Sequence, residues 1–271
     1  MTVESHGIGI LGHVFTRPER RRQGIISHVM ERQMDHFRAR GGQALTLGTG
    51  FERPPYWIYR GFGFRNLVGG FMRYETDRES GLEQRWFRPA SASVVPAAWR
   101  HWPQVAFLAS YPATDTVRSV AWGVFGISNL EHPYVEFMAA RRVDPKPQCV
   151  VLETEHGGVG ACATLTRMPL WPGVWLLDVF AHPNFEDRMV ELIGALDLPH
   201  GIIAAYTDDA NTPRTRALET SGFTLSGTLR NWLPPWVPAL PSDPSETPES
   251  PARPLARSSA RSSAVRVYMK D

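Results

Sequence analysis

Apolar and polar residues alternate along this chain with two different periods, and the changes of period mark out its elements. Residues 7–15 (GIGILGHVF) are a run of β-formers that predicts a buried strand. From 25 to 39 the period becomes helical. Ile25, Ile26, Val29, Met30, Met34 and Phe37 share one half of the wheel, with Glu31, Asp35 and Arg38 opposite. Gly41 and Gly42 stop that helix. A second strand is predicted at 43–50, then a short helix opened by Pro54 and Pro55, which suit a first turn. A hairpin follows over 63–75, turning at Gly69-Gly70. The first 75 residues therefore read strand, helix, strand, helix, hairpin.

A second series begins near Trp86. Residues 97–110 and 122–142 read as helices, and 148–168 as a hairpin turned at Gly157-Gly158. Next come a strand over 173–183, a helix over 185–196 and a strand over 201–209. A helix over 211–222 and a strand over 223–233 complete the run. These later elements repeat the order of the first series. LGHVFTRPERRRQG…YRGFGF aligns with LLDVFAHPNFEDRM…LETSGF, which predicts a tandem repeat of one fold. The expected organisation is a partial unit over 1–78, a complete unit over 79–237, a Pro- and Ser-rich disordered insertion over 238–263, and a last strand of the second unit over 264–271.

Composition narrows the function classes. Hydrophobic residues make up 42% and charged residues 21%, as in soluble globular proteins. The net charge of +2 gives no protein-wide basic field for nucleic acid, so any basic function is local. Cys149 and Cys162 have no CxxC spacing, so neither a zinc site nor a disulfide framework is expected, and a reducing compartment fits best. The N-terminus does not read as a signal peptide, and no apolar run reaches the roughly 18 residues of a membrane span, so a cytoplasmic protein is expected.

The segment with chemistry is 13–27, HVFTRPERRRQGIIS. A strand, a glycine-containing turn and a helix start expose backbone N–H groups where the helix dipole places about half a positive charge. That makes an anion site, and Arg17, Arg20, Arg21 and Arg22 add mobile positive charge. The competing readings are a solvated basic turn and a nucleic-acid patch. The patch would need interleaved aromatics and a second basic stripe, which the sequence lacks.

The tie is broken downstream by YRGFGF at 59–64. Together the two segments resemble the GNAT superfamily of acetyl-CoA-dependent N-acetyltransferases. In that family a strand ending V-x-x-x-P leads to an [R/Q]-x-x-G-x-[G/A] loop, and a later Y-x-x-x-G-F supplies a general acid. The resemblance covers about residues 7–75. It implies an α/β (α+β) fold of two such units, each a mixed central sheet flanked by helices, with the first lacking its early strands. It implies that the backbone of Arg21, Arg22, Gln23, Gly24, Ile25, Ile26 and Ser27 holds the pyrophosphate of acetyl-CoA, with no metal. The backbone of Val14, Phe15 and Thr16 would pair with the pantetheine arm, and Tyr59 would be the general acid. An amine, small or on a protein, would attack directly.

There are departures. Ile26 replaces a small residue, Glu52 stands where an Asn is frequent, and the second unit has Glu186 and Asp187 in its loop and Leu218 in place of Tyr59. That unit therefore reads as a relative without a cofactor site. The general base stays open among His13, Glu4, Glu52 and ordered water; a histidine on an apolar strand is more often structural, and no role is expected for His132 or His182. The alternative to an acetyltransferase is a non-catalytic protein that binds acyl-CoA or a partner.

Overall fold

Two mixed sheets flanked by helices carry the chain, as the expected fold class has it. The computed structural model describes residues 2–77, 81–112, 116–209, 211–233 and 264–270. The stretch expected to be disordered, 238–263, lies outside these. The first sheet holds β1 (Thr2–Ser5), β2 (Ile8–Leu11), β3 (Ala44–Gly48), β4 (Arg65–Val68) and β5 (Phe71–Glu75) in the order β1-β2-β3-β5-β4. Helices α1 (Ile25–Ala39) and α2 (Pro54–Gly61) belong to it.

The second half opens with α3 (Leu82–Trp86), β6 (Ala92–Pro96) and α4 (Trp102–Ala109). A small hairpin of β7 (Val117–Ser119) and β8 (Val124–Phe125) leads to α5 (Glu131–Ala140). Then follow β9 (Gln148–Thr154), β10 (Val159–Arg167), β11 (Trp175–Ala181), α6 (Met189–Gly194), β12 (Ile203–Asp208), α7 (Thr212–Thr220), β13 (Thr224–Leu229) and β14 (Val265–Lys270). The second sheet runs β13-β14-β12-β11-β10-β9-β6. Its β14, the strand expected at the end of the sequence, inserts antiparallel between β12 and β13.

The sheets share a connectivity. In the first, β1 is antiparallel to β2, β2 is parallel to β3, and β5 then β4 follow antiparallel. In the second, β10, β11, β12, β14 and β13 repeat these orientations in the same order. Each sheet has one parallel pair, bridged by a helix (α1 or α6), and a parallel pair requires such a crossover.

Several expected boundaries move. The strand over 7–15 ends at Leu11, because His13 has a left-handed φ of 53° and leaves the pleat. A strand that the pattern missed, β1, precedes it; its residues are half-buried or, at Glu4, exposed, and mostly polar, so no apolar alternation marks it. Residues 122–142 are helical only from Glu131, after the short β8 and a left-handed Gly126. The helix over 185–196 divides into a 3-10 turn, Pro183–Arg188, and α6.

Helix α4 explains how the two halves meet. Its sequence, WPQVAFLA, is apolar on all sides, which marks a helix buried all round. It packs on β1, β2 and β3 on one side and on β10 on the other. Ile8, Ile10 and Ala44 of the first sheet therefore share one core with Val105, Leu108 and Leu165. At the seam the Arg73 guanidinium donates to the Ser110 carbonyl at 3.0 Å, pairs with Glu75 at 2.9 Å and lies 3.9 Å from the Tyr111 ring centre. The first sheet's other face, with Leu45, Leu47 and Met72, packs with Met30, Met34 and Phe37 of α1.

Hairpin β7–β8 is pinned by buried charge. Asp178 accepts from the Ser119 hydroxyl at 2.8 Å and from the N–H groups of Val120 and Ala121 at 3.0 and 2.9 Å. Arg214, fully buried, lies 3.4 Å from Asp178 and donates to the carbonyls of Val117 and Arg118. Arg214 also supplies the N–H that Asn211 caps at 2.9 Å to start α7. Asn211→Ala should cost about 1 kcal/mol in urea unfolding, the usual value of such a cap.

Candidate functional site

The C-terminal end of β2 opens onto the N-terminus of α1, and this junction is where the chemistry-bearing segment lies. After Leu11 the backbone is irregular as far as a 3-10 turn at Pro18–Arg20. Two side chains brace the turn from within: Arg21 Nε donates to the Thr16 carbonyl at 3.2 Å and Gln23 Nε2 to the Glu19 carbonyl at 3.3 Å. Arg22 and Gly24 both have left-handed φ values, 60° and 71°. Gly24 caps α1 without a side-chain hydrogen bond, and the first turn carries no acid.

The outcome is a row of unpaired donors. Arg21 N–H bonds the Pro18 carbonyl, and the N–H groups of Ser27 and His28 bond the Gly24 carbonyl. Between them, the N–H groups of Arg22, Gln23, Gly24, Ile25 and Ile26 donate to no other described residue. A helix start leaves its first N–H groups without intrahelical partners, and the left-handed residues ahead of it extend the row. Successive amides in such a turn form an anion-binding concavity. Residues Arg21 to Ser27 are exposed, except Ile26, which is half-buried. Arg17 and Arg20 are exposed beside them.

Next to these donors is an open cleft with about 140 Å³ of free volume. It is lined by Leu11, His13, Val14, Phe15 and Thr16 on the β2 side and by Ile25, Ile26, Val29, Met30 and Gln33 on α1. Five of the expected cofactor residues, Val14, Phe15, Thr16, Ile25 and Ile26, thus line one cleft, and Phe15 is 73% exposed at its rim. Val14, Phe15 and Thr16 lie in the irregular segment past the end of β2, not within the strand.

Tyr59 does not line the cleft. It sits on α2 in the first sheet's core, its ring 5.9 Å from that of Phe64. Burial raises its pKa above the ordinary tyrosine value. The hydroxyl has no hydrogen-bond partner among the described residues.

The candidate bases separate. Glu4 is paired with Arg40 at 2.7 Å on β1. Glu52 is exposed in the turn before α2. His13 lines the cleft. Glu131, which sequence reasoning did not bring here, reaches the same strand end from the start of α5: a Cβ built on Gly12 would lie 3.0 Å from its Oε1. Burial pushes the Glu131 carboxyl above the ordinary carboxylate range, opposed by Asn129, His13 and His132. No local signal marks Glu131, because the contact is made by the docking of the two halves.

The corresponding turn of the second sheet is packed differently. There Phe185 is buried against Gly160, and Asn184 donates to the Phe87 carbonyl at 2.8 Å. Leu218, at the position matching Tyr59, is fully buried. His182 stacks on Phe87 with ring centres 4.2 Å apart.

One comparison bears on this junction. Residues 4–67 match the family model of the acetyltransferase (GNAT) domain. The matched stretch runs from β1 to β4 and contains the turn, the unpaired donors, the cleft and Tyr59. No curated protein matches the chain. Among solved structures, a phosphinothricin acetyltransferase from Sinorhizobium meliloti in complex with acetyl-CoA aligns at 12% identity and a TM-score of 0.44, over 66% of this chain and 87% of its own. A ribosomal-protein-alanine N-acetyltransferase from Brucella melitensis aligns at 16% and 0.43, over 66% and 98%. An N-acetyltransferase from Staphylococcus aureus aligns at 15% and 0.42, over 67% and 99%. Likeness at these values decides nothing about this chain. Among the described residues there is no group of three His, Cys, Asp or Glu able to hold a metal, and no helix is long and apolar enough to cross a membrane.

Proposed function

We propose that the chain transfers an acetyl group from acetyl-CoA to an amine, with the cofactor site at the junction of β2 and α1. The observation that carries this is the row of five unpaired N–H groups from Arg22 to Ile26 beside the cleft, within the stretch that matches the acetyltransferase (GNAT) model. A pyrophosphate is a compact anion with several acceptor oxygens, and such a row satisfies it without any side chain. The exposed arginines at 17, 20, 21 and 22 add attraction for a polyanion. The apolar cleft lining of Leu11, Val14, Ile26 and Met30 suits the thin pantetheine arm.

Acetyl-CoA brings the acetyl group as a thioester. The chain's part is to hold the phosphates at α1, to lay the arm along 14–16, and to return a proton to the leaving sulfur. Tyr59 is the group we assign to that last task, because it lies within the matched stretch and its hydroxyl makes no hydrogen bond to another described residue. We read the two sheets as tandem copies of one fold, of which only the first retains an open cofactor site. The shared strand order supports this reading, as does Phe185 filling the second turn.

Tyr59→Phe tests the assignment. Release of free thiol from acetyl-CoA should fall by about 100-fold, the scale of a lost general acid, with the Kd for acetyl-CoA unchanged. Full turnover in the variant would remove Tyr59 from the reaction. A non-catalytic acyl-CoA binder would show the same Kd and no thiol release in either protein.

A further inference from the structure

Both parallel strands of the first sheet end in glycine on the face turned toward the second half of the chain. Side chains alternate across a strand. Ile8, Ile10 and Ala44 point into the core shared with α4, while Leu11, Leu45 and Leu47 point toward α1. Gly12, just past β2, and Gly48, ending β3, continue the first set. Each receives one residue from the start of α5. A Cβ on Gly12 would lie 3.0 Å from Glu131 Oε1, and one on Gly48 would collide with the Asn129 amide.

This arrangement is fixed from several sides. The Glu131 N–H donates to Asn129 Oδ1 at 3.0 Å, and the indole N–H of Trp102 on α4 donates to the Glu131 carbonyl at 3.0 Å. The carboxylate makes no ion pair with a lysine or arginine among the described residues. The titratable groups around it are His13 of the cleft and His132, which itself pairs with Glu136 at 3.0 Å. An acid half-buried at a strand end, without a cation to neutralise it, is an expensive arrangement unless it serves a ligand.

We propose that Glu131 takes the proton from the acceptor amine, so that the second half of the chain supplies the acceptor side of the site. The inference rests on the acetyl-CoA reading above and names its base. An alkyl amine reaches the end of β2 as an ammonium ion, which the Glu131 carboxylate, on the face opposite α1 and outside the cleft lining, attracts. Its nitrogen can attack only after losing a proton. The N–C bond to the acetyl carbon forms as the C–S bond breaks. Glu131 takes one proton from the ammonium before attack and passes it to water; once the N–C bond has formed, the second proton on nitrogen leaves by the same route, and the sulfur takes a proton from Tyr59, which is reprotonated by water. The products are the N-alkyl acetamide and the free thiol of CoA.

Glu131→Gln and Glu131→Asp in the full chain test this, with thiol release measured using n-butylamine and hydroxylamine as probe nucleophiles. Butylamine is protonated at neutral pH and needs a base, whereas hydroxylamine is largely free. Glu131→Gln should lower butylamine turnover by about 100-fold and hydroxylamine turnover by less than about 10-fold, at unchanged acetyl-CoA Kd. In the wild type, turnover should fall as pH drops through a carboxyl pKa above the ordinary range, and the glutamine variant should lack that limb. The aspartate variant should retain the limb at reduced rate. Equal losses for both nucleophiles, no loss, or a wild type that binds acetyl-CoA yet releases no thiol with butylamine at any pH would overturn the role of Glu131. Absence of acetyl-CoA binding in the wild type would instead overturn the underlying cofactor reading, and this role with it.

Discussion

Gly24→Asp should lower acetyl-CoA affinity by at least about 100-fold, while Gly24→Asn should stay within about threefold of the wild type. The pair separates charge from backbone strain. Gly24 has a φ of 71°, a conformation that most residues resist but that Asn and Asp tolerate similarly. A Cβ there meets nothing within 4 Å, so neither substitution is excluded by space. What differs is one negative charge in the middle of the unpaired N–H row. Two like charges about 4 Å apart repel by about 4 kcal/mol at an effective dielectric of 20. The site is exposed, so screening reduces this, and about 2.7 kcal/mol corresponds to the 100-fold loss. Calorimetric titration reads it directly. Equal affinities for the aspartate and asparagine variants would place the phosphates elsewhere.

The second large effect is on stability. Asp178→Asn should destabilise the chain by about 3–5 kcal/mol, read by urea unfolding with far-UV circular dichroism. Asp178 and Arg214 are both fully buried, and the carboxylate answers the guanidinium as well as the Ser119 hydroxyl and two N–H groups. An amide has nearly the same shape but no charge. It would remove one of the buried charges that answer the Arg214 cation and turn an NH₂ group toward donors. The damage should reach the site, because these bonds anchor β7–β8, the hairpin that runs into Asn129 and Glu131. A loss under about 1 kcal/mol would mean that the cluster is far more hydrated than its burial implies.

What could be read from the sequence was whatever local chemistry decides. Helix α1 runs over Ile25–Ala39 as its period indicates, because Gly24 before it and Gly41-Gly42 after it punctuate a strongly two-sided stripe. The β4–β5 hairpin turns at Gly69-Gly70, where Gly70 adopts a φ of 90° and any Cβ would strike the Thr49 backbone. The basic glycine turn stood out as a candidate anion site for the same local reason. Features set by tertiary contact were not visible. The polar β1 is a strand only because β2 lies beside it. Residues 122–130 are apolar enough for a helix but instead form the link that carries Asn129 over the first sheet. Glu131 was invisible as a site residue for this reason: nothing around it in sequence distinguishes it from an ordinary acid in a first helical turn. Its meeting with Gly12 depends on α4 serving both sheets at once.

Amide hydrogen exchange with and without acetyl-CoA tests the central claim most directly, since the claim concerns particular N–H groups. In the free chain, the amides of Arg22 to Ile26 have no partner among the described residues and should exchange rapidly. Saturation with acetyl-CoA should slow exchange at these five positions together, with little change at the matching turn around Asn184. Binding of acetyl-CoA with no protection between Arg22 and Ile26 would contradict the account.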